Sequence, residues 1–93
     1  MRYSEMLQQA IALKRMSLAE ISSLIQERGY KTNKAYLSKL QNGKLPPAGD
    51  GLNQVLADVL DIDPVELKAA AYREKIPADV LEKLQAHPKA TSA

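Results

Sequence analysis

The chain has 93 residues, of which 45% are hydrophobic and 26% charged, with a formal net charge of +2 and no cysteine. A length of this order makes one domain with a single core, which excludes a two-lobed enzyme and leaves little depth for a catalytic cavity. The lack of cysteine excludes disulfides, thiolate metal sites, iron–sulfur clusters and a cysteine nucleophile, and suits a reducing compartment.

In chain order the sequence predicts an all-α fold of five to six short helices, because no alternating stretch rich in β-branched residues argues for a strand. Ser4 is expected to cap a first helix that carries Tyr3, Leu7, Ala10 and Ile11 at helical spacing, with Leu13 beside them and Lys14 and Arg15 at the negative end of its dipole. Ser17 and Glu20 have the spacing of a capping box, and Met16 before them is placed to staple onto Ile21. This second helix runs through Leu18, Ile21, Leu24 and Ile25, and Gly29 offers a left-handed end. A third helix is expected from an Asn33 cap, with Leu37 and Leu40 inward and Asn42–Gly43 closing it. Residues 44–49, with Pro46 and Pro47, read as a loop. Asp50 is expected to cap a fourth helix whose Leu52, Val55, Leu56, Val59 and Leu60 make a buried stripe. Asp63, Pro64 and Glu66 open a fifth helix, with Ile62 and Leu67 as its staple. Pro77 opens a sixth carrying Val80, Leu81 and Leu84, ending at His87–Pro88 before a small, polar tail.

The charge is segregated along the chain. Residues 1–45 carry eight basic and three acidic side chains, and residues 46–93 carry five basic and eight acidic ones. A basic face offered to a polyanion gives this asymmetry, and so does the ordinary variation of solvated helix faces. No apolar run approaches the roughly 20 residues of a membrane-spanning helix, and residues 1–5 lack the apolar stretch of a secretory signal. The expectation is a cytoplasmic chain that does not enter a membrane.

Catalysis needs partners that converge, and the sequence offers few. Asp61 and Asp63 are close, but Asp63 has a capping role, and hard metals want several converging oxygens. Ser22 and Ser23 have no nearby histidine, and the single histidine, His87, lies near the end of the last helix. No enzyme activity, metal or cofactor is expected.

Residues 17–43 carry the stronger signal: helix, turn, short helix. From Arg28 to Lys44 there are five basic residues and no acid. With Leu37 and Leu40 inward, Lys34, Ser38 and Lys39 point outward and Asn33 sits at the helix tip. These residue types suit duplex DNA: Lys pairs with guanine, Asn with adenine, and Ser, Thr and helix-start amides hold phosphate. A generic helical bundle with a basic solvated face would carry the same residues. Tyr30 and Tyr36 suit either packing against a neighbouring helix or contact with nucleic acid.

The run Met16-Ser17-Leu18-Ala19-Glu20-Ile21, the segment Ala35-Tyr36-Leu37-Ser38-Lys39-Leu40-Gln41-Asn42-Gly43 and the later Leu56-Ala57-Asp58-Val59-Leu60-Asp61-Ile62-Asp63-Pro64 together resemble the lambda-repressor-like, Cro/xenobiotic-response-element family of helix-turn-helix DNA-binding domains. The resemblance covers about residues 3 to 72. It implies a bundle of short helices, with residues 1–73 as the DNA-binding unit and 74–93 as a C-terminal helix and tail. It further implies that Lys31, Thr32, Asn33, Lys34, Tyr36, Ser38 and Lys39 approach bases or nearby phosphates, and that Gln41, Asn42 and Lys44 approach the backbone. Ile21, Leu37, Leu40, Val55, Leu56 and Val59 would form the supporting core. One departure stands out: between Ile21 and Tyr36 the chain is about five residues longer than the family pattern, whose turn is short. Either the second helix extends by a turn, or the connection becomes a loop carrying Tyr30 and Lys31.

The function implied is a transcriptional regulator of bacterial or phage type, a repressor binding an inverted-repeat operator in double-stranded DNA as a homodimer. Tyr72, Ile76, Val80, Leu81 and Leu84 supply apolar area for a dimer surface or, alternatively, fold back onto the core. The rival function is a protein-interaction module on the same scaffold, antitoxin-like or an antagonist of another regulator, since fold alone does not establish function.

Overall fold

The computed structural model describes residues 1–75, all of whose regular structure is helical. Its elements are α1 (Tyr3–Lys14), α2 (Leu18–Glu27), α3 (Lys34–Gln41), α4 (Asp50–Leu60) and α5 (Pro64–Lys75). The expected sixth helix with Val80, Leu81 and Leu84, Ile76 before it, and His87 lie outside the described residues. No described helix is long and apolar enough to cross a membrane.

Short-range capping chemistry sets most of the helix boundaries. Ser17 Oγ accepts the Glu20 N–H at 3.1 Å and the Glu20 carboxylate accepts the Ser17 N–H at 3.2 Å, completing the capping box of α2. At α5, Asp63 Oδ1 accepts the N–H groups of Val65 at 2.8 Å and Glu66 at 3.3 Å, and Pro64 takes the first position, where no N–H is needed.

Two expected caps are displaced. Ser4 lies inside α1 and does not cap it: the helix begins two residues earlier, because the Glu5 carboxylate accepts the Arg2 N–H at 3.0 Å and Tyr3 is drawn into the core. Asp50 is the first residue of α4, behind a Gly49 cap that has no side chain to donate or accept, and its carboxylate instead accepts the Tyr72 hydroxyl of α5 at 2.9 Å. At the other helix ends, Arg15 and Asp61 close α1 and α4 in the left-handed conformation, and Lys14 forms an ion pair with Asp61.

α1 packs against α3, α4 and α5, while α2 packs on α3 and α4. The core joins Leu7 of α1, Ile21 and Ile25 of α2, Leu37 and Leu40 of α3, Val55, Leu56 and Leu60 of α4, and Leu67, Ala70 and Ala71 of α5. Leu18, Leu52, Val59 and Ile62 form its half-buried margin, whereas Leu13 and Leu24 are exposed. Each of the two is one position off the stripe that its own helix buries.

The core has one polar member on α4, Asn53, which is fully buried. Its Oδ1 accepts the Tyr3 hydroxyl, its amide donates to the Ala48 carbonyl at 2.8 Å, and the Ala48 N–H reaches back to the Tyr3 hydroxyl at 3.4 Å. This ring of three ties the 44–49 loop to both α1 and α4. Asn53→Ala leaves the buried Tyr3 hydroxyl without an acceptor for its proton and the Ala48 carbonyl without the Asn53 donor, so it is expected to cost about 1–3 kcal/mol in urea denaturation.

Burial pushes the Tyr3 phenol above the ordinary tyrosine range, the smaller opposing effect being the Ala48 N–H. The folded state therefore holds the Tyr3 proton that the unfolded chain releases near pH 10, and stability is lost as pH rises above about 10, by at most about 1.4 kcal/mol per pH unit for this group. Denaturation midpoints measured from pH 8 to 11 are expected to fall over the upper half of that range, and Tyr3→Phe to flatten the fall.

Candidate nucleic-acid interface

α3 has eight residues and is built to stand on two leucines. Leu37 and Leu40 are buried, and Asn33 Oδ1 caps the helix by accepting the Tyr36 N–H at 2.8 Å. Its far end is a Schellman turn: the Lys44 N–H returns to the Lys39 carbonyl at 2.9 Å and the Gly43 N–H to the Leu40 carbonyl at 3.3 Å. Gly43 has φ +72, which explains a glycine there, and a Cβ at that position would meet only the Ser4 side chain, Oγ at 3.5 Å and Cβ at 3.8 Å, both ordinary contacts.

With the leucines inward, Ala35, Lys39 and Asn42 recur at i, i+4 and i+7 and are exposed together on the opposite side. Ser38 flanks them, half-buried, within 3.4 Å of the Asn42 amide, and Lys34 is exposed in the first turn. Lys31 before the helix and Lys44 after it are also exposed. Lys31, Lys34, Lys39 and Lys44 make no ion pair with any described residue, whereas Arg28, at the edge of the same region, is held by Asp58 at 3.3 Å. The result is a short helix with exposed ammonium groups before, along and after it that pair with no described carboxylate.

The remaining expected site residues lie less openly. The Thr32 hydroxyl is buried with no hydrogen-bond partner, so it does not face outward with the lysines. Asn33 Oδ1 accepts the Tyr36 N–H as the cap, which engages one of its two lone pairs, and its exposed NH₂ has no partner among the described residues. Tyr36 is half-buried against the core, which raises its phenol above the ordinary value. Gln41 is half-buried and its carbonyl accepts the Gln8 amide of α1 at 2.7 Å.

The longer connection between α2 and α3 takes the form of a loop, residues 28–33, and not of an extended α2, which stops at Glu27. Three contacts brace it. Gln26 Nε2 donates to the Thr32 carbonyl at 2.7 Å, Arg28 reaches Asp58 on α4, and the Tyr30 ring lies over Gly51, where a Cβ would stand 2.6 Å from the tyrosine hydroxyl. Tyr30 thus packs on the first turn of α4 while remaining partly exposed.

Reading by residue type overlooked Ala35, which the helical period alone places beside Lys39. It also overlooked Gln8 and Gln26, whose exposed amides resemble any solvated side chain. Of the apolar set considered for a dimer surface, Tyr72 is half-exposed, donates its hydroxyl to Asp50 and has the Lys75 ammonium 5.4 Å above its ring; Ile76, Val80, Leu81 and Leu84 are outside the described residues. No protein-family model, curated protein or solved structure matches the chain. The functional reading therefore stands on the geometry of α3 and its surroundings.

Proposed function

We propose that the chain is a sequence-specific DNA-binding transcriptional regulator, a repressor of the lambda-repressor-like helix-turn-helix type that binds an inverted-repeat operator as a homodimer. The observation that carries the reading is the set of four exposed lysines that form no ion pair among the described residues, Lys31, Lys34, Lys39 and Lys44, arranged around one short helix whose buried residues are Leu37 and Leu40.

An α-helix with its side chains is about 10–12 Å across and the major groove about 12 Å wide, so α3 with its small outward Ala35 and Ser38 fits against base edges. Lys39 and Asn42 are the polar groups on that side, and the Ala35 methyl suits a thymine methyl. Lys31, Lys34 and Lys44 lie where the groove walls carry phosphate, and they would displace counterions there. A single module of this size buries about 600–1,000 Å² of its surface on DNA, which is small for tight specific binding, and a second copy on the next half-site doubles it. Repression follows from occupancy, which excludes polymerase from the same stretch.

The test is selection from a random duplex library with the full chain, then anisotropy titration of the enriched and a scrambled duplex at two salt concentrations. An enriched inverted repeat, preferred by at least about 10³-fold over the scramble, supports the reading. Weak, equal and equally salt-sensitive binding to both duplexes overturns it in favour of a protein-interaction module. The observation favouring that rival is an open groove between α1 and α5, lined by Met6, Ala10, Leu13, Ile62 and Ala69 and rimmed by Glu66 and Arg73.

A further inference from the structure

Two glutamine side chains from different helices grip the two ends of α3. Gln8 of α1 donates through Nε2 to the Gln41 carbonyl at 2.7 Å, and Gln26 of α2 donates through Nε2 to the Thr32 carbonyl, just before the Asn33 cap, also at 2.7 Å. Neither glutamine is needed for burial, since both are exposed.

The two contacts meet different needs. The last four carbonyls of a helix have no partner within it. In α3, those of Ser38, Lys39 and Leu40 accept the N–H groups of Asn42, Lys44 and Gly43, and the fourth, Gln41, is the one that Gln8 takes. At the other end the six-residue loop is anchored nearer α2 by Arg28 on Asp58 and Tyr30 on Gly51, and the Gln26 bond is the contact that holds it next to the Asn33 cap. Between the ends, the helix rests on the buried Leu37 and Leu40 with Tyr36 half-buried beside them, a seat of about one turn. So short a seat holds the helix down but resists rocking less well than contacts at the ends, where the glutamines act and resistance to rocking has most leverage.

We propose that Gln8 and Gln26 are positioning residues that fix the tilt of α3 against the bundle and thereby set how sharply its outward face discriminates one duplex from another. This inference rests on the DNA-binding reading for its second half, while the tilt itself is measurable without DNA.

The experiment uses Gln8→Met and Gln26→Met, singly and together, which keep side-chain length and charge and remove the donor. Because the sequence has no cysteine, Ala35→Cys and Ala69→Cys give a unique pair of exposed spin-label sites on α3 and α5 in the full chain. The expected result is a narrow interlabel distance distribution in the parent and a broadened or shifted one in the double variant. In the unlabelled chain, which keeps Ala35, preference of the double variant for the selected over the scrambled duplex is expected to drop about tenfold, the order of one hydrogen bond, with the salt dependence unchanged.

A distance distribution indifferent to the double substitution overturns the proposal, whatever DNA binding does. A broadened distribution with undiminished duplex preference overturns the link from tilt to discrimination. If the parent prefers no duplex while the distribution broadens, the clamp stands and the DNA reading fails. A role in stability alone would lower the melting temperature and weaken both duplexes equally, so equal weakening also counts against the proposal.

Discussion

Leu40→Ala is expected to cost the fold about 2–5 kcal/mol, the range for removing a fully buried leucine and leaving a cavity behind. Leu40 is fully buried, on the side of α3 that packs against α1 and α2. A domain of this size has total stability near the low end of about 5–15 kcal/mol, so the variant gives up a large part of it. The consequence is specific because α3 buries only two residues, and with one of them truncated the helix is held to the bundle by Leu37, the half-buried Tyr36 and the contacts at its ends. Urea denaturation of the free protein is the direct measurement. Leu40→Met, which conserves volume, is expected to lose less than about 1.5 kcal/mol. A parent-like midpoint for Leu40→Ala would mean that the inward face of α3 has been assigned wrongly, and with it the outward face that carries the lysines. Because this loss acts through folding, duplex preference in Leu40→Ala should recover as the temperature is lowered, which separates it from any loss at the contact surface.

What was legible in the sequence was what neighbouring residues decide among themselves. The α2 capping box and the Asp63-Pro64 start of α5 each lie within four residues, and both are found where the spacing placed them. The Asn33 cap, the inward leucines of α3 and the glycine of its closing turn are of the same kind. The misplaced caps show the limit of that rule. Ser4 has the right chemistry for a cap, but burial of Tyr3 and the reach of Glu5 start the helix sooner. Asp50 too is a good cap residue, yet its carboxylate is used by Tyr72, 22 positions away. Asn53 gave no local sign at all: it follows Leu52 as an ordinary polar position, and its role depends on Tyr3, 50 residues earlier, and on the carbonyl of Ala48. The inward turn of the Thr32 hydroxyl and the two glutamine clamps belong to the same class, since each depends on where another segment comes to rest. The extra length between α2 and α3 was visible as a count, and Gly29, which takes the left-handed conformation just past the end of α2, was the local sign favouring a loop; the packing of Tyr30 on Gly51 and of Arg28 on Asp58 that braces this loop was not legible.

Replacing Lys31, Lys34, Lys39 and Lys44 together by Gln is expected to remove most duplex affinity without touching the fold. All four are exposed and none has an ion-pair partner among the described residues, so stability should stay within about 0.5 kcal/mol of the parent. For DNA the loss is electrostatic: each phosphate contact removed lowers the magnitude of the slope of log K against log salt by about 0.9, so the phosphate contacts assigned to Lys31, Lys34 and Lys44 together lower it by about 2.7 per protomer. The single variants divide the set by role. A lysine that holds phosphate weakens the selected and scrambled duplexes alike and reduces the slope by about 1, whereas one that reads a base edge costs about 1–3 kcal/mol on the selected duplex and relaxes preference at one position. Lys39 is the candidate for the second behaviour, because it shares its side of α3 with Ala35 and Asn42. Lys31 and Lys44 lie beyond the two ends of the helix and are expected to show the first. Arg28 is the internal control: its guanidinium is engaged by Asp58, so Arg28→Gln should change the slope less than any of the four. If the fourfold variant retains the parent's slope, the face around α3 is not where the chain meets DNA.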